Sequence, residues 1–126
     1  MLKEEKKYDI EDRLVDFAVR IIKVAGSLPK TKVGKHIESQ LVRCGTAPAA
    51  NYGEAQGAES RSDFIHKMKI CVKELRETKV WLKIIVKANI IKPASIFDSL
   101  INENDELISI FVTSIKTAKE KNQKTS

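Results

Sequence analysis

Apolar residues recur at intervals of three and four along four separate stretches of this 126-residue chain, and no stretch alternates strictly between apolar and polar residues. Spacings of three and four place side chains on one face of an α-helix, whereas a half-buried strand needs a period of two. The chain is thereby restricted to helices that each bury one face. The breaks between stretches carry Pro29, Gly57 and Pro93, residues that end helices. The spacing predicts helices over about residues 10–28, 32–57, 61–89 and 96–119. With connections this short, the simplest all-α architecture is an antiparallel up-down-up-down four-helix bundle, one domain over residues 1–126.

The first helix carries Leu14, Phe17, Ala18, Ile21, Ile22, Ala25 and Leu28 on its core side, with Glu11 and Asp12 at the positive end of its dipole. Thr31 is a suitable cap for the second helix, whose apolar side runs Val33, Ile37, Leu41, Cys44 and Ala47. Pro48 falls inside that pattern, and a kink is expected near residues 44–48. Small residues from Gly45 to Ala55 would let a neighbouring backbone come close. Ser60 and Asp63 form a capping-box-like pair ahead of the third helix, with its core side at Phe64, Met68, Cys71, Leu75, Thr78, Leu82, Ile85 and Val86. The fourth helix uses Phe97, Leu100, Ile101, Leu107, Ile108, Phe111, Val112, Ile115 and Ala118, and its polar tail is expected to fray.

Composition excludes several classes. The apolar set makes up 42% and the charged set 32%, which describes a globular chain rather than a disordered one. No apolar run approaches the roughly 20 residues a membrane span requires, and the charged N-terminus has no apolar signal core. A cytoplasmic protein is expected, with Cys44 and Cys71 as reduced, packed thiols. No Cys/His spacing suits a metal, and no cofactor motif is present. Glu54, Glu74 and Glu77 could cluster, but neither His36 nor His66 has a glutamate three residues before it, so the two-metal carboxylate design is missing. With no nucleophile–histidine–acid set either, a non-enzymatic protein is expected. Arg43, Asn51, Glu54, Glu74 and Glu77 read instead as a polar network that fixes how the second and third helices pack.

The net charge of +6 is unevenly placed. Residues 60–92 hold nine bases against three acids, while residues 93–115 hold four acids and no base. Lys69, Lys73, Arg76, Lys83 and Lys87 lie within about 40° either side of one line on the third helix, at about 100° per residue. Such a stripe can track a phosphate backbone, in a salt-sensitive contact that reads no bases. Tyr52, Ile70 and Trp81 lie off the core stripe and are candidates for a subunit interface.

The central stretch also carries an ordered set of residues: Gln40-Leu41-x-Arg43, Gly45-Thr46, Ala50-Asn51-x-x-Glu54-Ala55, Ser60-x-x-Asp63-Phe64-Ile65, Lys73-Glu74, Glu77 and Trp81-Leu82. This set resembles the bacterial four-helix bundle proteins of the 23S ribosomal RNA intervening-sequence family, over roughly residues 14–118. Ala47-Pro48 stands where that family often has Ser-Ile or Ser-Val. The resemblance implies a small all-α protein, often encoded within inserts in the large-subunit ribosomal RNA gene. It also implies likeness to the accessory variability determinant of diversity-generating retroelements, a basic homopentamer that partners a reverse transcriptase and nucleic acid. On that likeness the expected partners are further copies of the chain itself, as a pentamer, with ribosomal RNA or another nucleic acid, or a reverse transcriptase. A protein-interaction scaffold or reverse-transcriptase accessory protein with no direct nucleic-acid role is the alternative.

Overall fold

The computed structural model describes residues 9–125, with side chains described through residue 121. Four α-helices follow one another: α1 Ile10–Gly26, α2 Lys32–Gln56, α3 Arg61–Lys87 and α4 Asp98–Thr125, with a short 3₁₀ turn at Ala94–Phe97 before α4. No strand occurs among the described residues.

α1, α2 and α3 each begin on a residue whose side chain satisfies an otherwise orphaned amide group. Asp9 accepts from the Asp12 amide at 2.9 Å, Thr31 from Gly34 at 3.0 Å and Ser60 from Asp63 at 3.0 Å. At the end of α3, Asn89 takes the left-handed conformation (φ 56°), and the Ile90 amide returns to the Ile85 carbonyl at 3.1 Å. Asparagine tolerates that conformation better than most residues do, and it closes the helix as glycine would. α1 stops at Gly26, two residues before the predicted end, yet Leu28 stays buried because the turn carries it back under the helices. α4 runs past the predicted end to Thr125: Ala118, Lys119, Glu120 and Lys121 favour helix, and neither glycine nor proline interrupts them.

α2 packs on both α1 and α3, and α3 packs on α4; the α1 backbone comes near α4 only lightly and does not come near α3. The two outer pairs thus place α1 and α3 at diagonal corners. Gly45 makes the α1–α2 contact close. A Cβ added there would lie 2.5 Å from Ile21 Cγ2. Gly53 is different, since nothing lies within 4 Å of an added Cβ. The core runs through Leu14, Phe17 and Ile21 of α1, Ile37 and Leu41 of α2, Met68, Leu75, Leu82 and Ile85 of α3, and Phe97, Leu100, Leu107 and Phe111 near α4. Three residues read as core-facing from their spacing are exposed instead: Ile22, Val33 and Val112. Ile22 and Val112 each follow a fully buried neighbour, Ile21 and Phe111, and the turn of about 100° per residue carries them outward. Val33 lies in the first turn of α2 and is 63% exposed.

α2 is helical throughout, including Pro48. Proline has no amide to donate, and the polar groups around it are bound locally. The Thr46 hydroxyl donates to the Val42 carbonyl at 2.7 Å, and the Asn51 amide to the Ala47 carbonyl at 3.0 Å. The Cys71 thiol of α3 donates to the Pro48 carbonyl at 3.6 Å.

Candidate functional site

Burying one face of α3 leaves the opposite face outward, and all five residues of the basic stripe stand on it. Lys69, Lys73, Arg76, Lys83 and Lys87 are exposed, and among the described residues none of them has a carboxylate within ion-pair distance. The contrast with their neighbours is informative. Lys67 and Lys79, a little around the same helix, are each neutralised by a carboxylate of an adjoining helix, Glu54 at 2.9 Å and Asp105 at 2.8 Å. The acids of α4 are drawn inward in the same way. Arg13 donates through Nε and Nη2 to Glu103 at 2.9 and 2.6 Å and to Glu106 at 2.9 Å. Hydrogen bonding to Glu103 holds the Arg13 guanidinium even more firmly charged than usual. Pairing within the molecule therefore consumes much of the acid and leaves the stripe unbalanced.

α4 extends the stripe at one end. Lys69 and Lys119 approach closely enough that the Lys69 ammonium lowers the pKa of Lys119, through the contact itself and through like-charge repulsion. Ser62, His66, Lys69 and Lys119 line a shallow groove there. Farther along α3, Val80 and Ile84 stand exposed among the cations, at 55% and 40%. Neither belongs to the core side predicted for the third helix. The wheel would have placed Val80 inside the arc of the lysines and Ile84 beside it, so the signal was present.

The residues read as one polar network separate in the structure. Arg43 reaches both Glu74, at 3.2 Å, and Glu77, and it also donates to Gln40 at 3.1 Å. Glu77 in turn accepts from the Trp81 indole at 3.1 Å. This cluster crosses from α2 to α3. Asn51 and Glu54 do not join it: Asn51 bonds back to its own helix and Glu54 binds Lys67. The spacing of three that linked them along α2 could not reveal which way each side chain would turn.

The three interface candidates are all half-buried. Tyr52 packs its ring edge-on against Phe111 at 5.8 Å and so faces its own core, and burial raises the pKa of its hydroxyl. Trp81 meets His36 edge-on at 5.8 Å. Ile70 lies between the core and the exposed stripe. Cys44 and Cys71 are buried free thiols, and burial pushes Cys71 up to about 12. No group of His, Cys, Asp and Glu among the described residues could hold a metal ion, and no described helix is long and apolar enough to cross a membrane.

Together these features define an all-α protein of four helices with an unpaired basic face on α3. The model of the 23S rRNA-intervening sequence protein family matches residues 6–113, and the chain belongs to that family. The structure is similar to a crystal structure of a protein of unknown function from the S23 ribosomal protein family of Bacteroides thetaiotaomicron. The TM-score is 0.80 and the identity 32%, over 86% of this chain and 99% of that one. No curated protein matches the chain.

Proposed function

We propose that this chain is a non-enzymatic, self-associating bundle whose helices run up-down-up-down and antiparallel, and which holds a nucleic-acid backbone, RNA above all, along the outer face of α3. The observation that carries this reading is selective pairing. Lys67 and Lys79 are neutralised by Glu54 and Asp105, whereas the five cations from Lys69 to Lys87 have no carboxylate at ion-pair distance among the described residues. An unpaired row of cations gains most from a partner that is itself a row of anions, because each contact releases a condensed counterion. No described aromatic side chain stands in the row to stack on bases, so the contact is with phosphate and independent of sequence. The family's link with ribosomal RNA inserts makes RNA the first ligand to try.

The test is fluorescence anisotropy of a labelled ribosomal RNA fragment across a salt series. Binding should weaken steeply with salt. Replacing Lys69, Lys73 and Lys119, all exposed, with glutamine should abolish it at moderate salt while leaving the helical circular-dichroism signal unchanged. Residual binding at low salt should lose about two units of slope in log K against log salt, at about 0.7 per lost contact to a single strand. Binding that the triple variant leaves unaltered would refute the reading. A specific observation also favours the second reading, a protein-interaction scaffold: Val80 and Ile84 interrupt the cations with apolar surface that phosphate would not use. Salt-insensitive retention of a protein partner with no RNA would be its signature.

A further inference from the structure

Eight large apolar side chains stand exposed on the described surface, and five of them fall on just two helix faces. On α1, Val15, Val19 and Ile22 are 46%, 43% and 49% exposed. At about 100° per residue they lie within about 30° either side of one line, a continuous ridge rather than scattered residues. On α3, Val80 and Ile84 form the second patch, and with Lys83, Lys87 and Ala88 they line a shallow hollow of about 420 Å³. The other three, Val33, Ile96 and Val112, stand singly on other elements and call for no partner.

The charges around the two patches are opposite. Glu11, Asp12 and Asp16 flank the α1 ridge, all exposed, and no cation lies within ion-pair distance of them among the described residues. Arg13 and Arg20 point away, to Glu103, Glu106 and Ser99 of α4, leaving Lys23 as the one exposed base of α1, at its far end. The α3 patch is rimmed by Arg76, Lys83 and Lys87, all exposed. An acidic-rimmed apolar ridge thus stands on one helix and a basic-rimmed apolar hollow on another. α1 and α3 stand at diagonal corners with no close backbone approach, and both patches face outward, so one copy cannot bring its own two faces together.

We propose that the outer face of α1 docks onto the α3 face of a second copy of this chain, Val15, Val19 and Ile22 covering Val80 and Ile84 while Glu11, Asp12 and Asp16 meet Arg76, Lys83 and Lys87. The inference rests on the self-association in the preceding reading and specifies its geometry. Two different patches meet, so the contact is head-to-tail, and repetition of it builds a ring or a filament rather than a two-fold dimer. Opposite charges at the rim fix orientation and disfavour α1 on α1 or α3 on α3. The contact takes Arg76, Lys83 and Lys87 out of the five-cation stripe, so in the assembly the phosphate-binding part of the face is Lys69 and Lys73 with Lys119 of α4, all exposed and outside the contact.

The test is light scattering in line with size exclusion on nuclease-treated full-length protein. The wild type should exceed its monomer mass of 14.2 kDa. Val19→Glu and Ile84→Glu each break one of the two faces, and each should be monomeric alone. Mixed together they should form one species of twice the monomer mass and nothing larger, because one intact α1 face and one intact α3 face remain. That mixing result also proves both variants folded. Should either lose its helical signal, Val19→Ser and Ile84→Ser take their places in the same scheme. A wild type that is monomeric overturns both this inference and the self-association beneath it. An assembly that either variant leaves intact, or a mixture that stays monomeric, overturns this inference alone.

Discussion

Gly45 and Gly53 lie in the same helix and look alike in the sequence, yet alanine should have opposite effects at the two positions. At Gly45 the new methyl would push into Ile21 of α1, 2.5 Å away, and overpacking of this kind costs about 1–3 kcal/mol. At Gly53 the methyl meets open space, so Gly53→Ala should stabilise by about 0.5–1 kcal/mol through helix propensity alone. Urea denaturation of the two variants checks the signs. The sequence marked both as small residues suited to close approach; which one a neighbour approaches depends on where α1 crosses, and that is a tertiary fact. Cys71 offers a pH test at the same scale. Burial raises its folded pKa to about 12, whereas an unfolded thiol ionises near 8.5. The folded state therefore keeps its proton longer. The thiol's contribution to stability is fully present below about pH 8.5 and is lost as pH rises toward 12. Between pH 8 and 10.5 the urea midpoint of Cys71→Ala should fall less steeply than that of the wild type, and equal slopes would count against the buried, protonated thiol.

Among the elements, α4 holds a core residue whose polar atoms find no bond among the described residues. Asn104 is fully buried, and neither its amide nitrogen nor its carbonyl oxygen has a partner among the described residues. Thr78 of α3, equally buried, shows the alternative: its hydroxyl donates to the Glu74 carbonyl of its own helix at 2.8 Å. An unsatisfied buried amide costs about 1–3 kcal/mol, so Asn104→Leu should raise thermal stability by an amount of that order. A melting temperature unchanged or lowered would count against an unsatisfied amide at this position. Asn104 is three residues from both Ile101 and Leu107 and so shares their side of the fourth helix, but its place among apolar residues went unread, and periodicity says nothing about whether a buried amide finds a partner. Helix starts were more legible. Thr31 and Ser60 both cap as their side chains suggest, because a cap is a local bond across three residues and needs no knowledge of the rest of the fold. The start of α4 was less so: the chain first makes a 3₁₀ turn at Ala94–Phe97, and the helix proper begins at Asp98.

For the molecule as a whole, the all-α class and the five-cation stripe could be read directly from spacing, since both depend only on where residues fall around a helix. The apolar interruption by Val80 and Ile84 lay within reach of the same wheel, whereas the diagonal placement of α1 and α3 did not, because it depends on how the helices pack against one another. The same limit applied to the polar residues. Arg43 could have bonded any of several carboxylates, and only the crossing of α2 over α3 selects Glu74 and Glu77. That crossing also encloses the two thiols, Cys44 on α2 and Cys71 on α3, and solvent reaches neither. A thiol reagent can react with them only during moments when those two helices part, so the rate of labelling becomes a clock for that opening. The protein thus carries its own pair of reporters on how often its central helix pair breathes, one on each side of the seam and neither requiring an introduced probe.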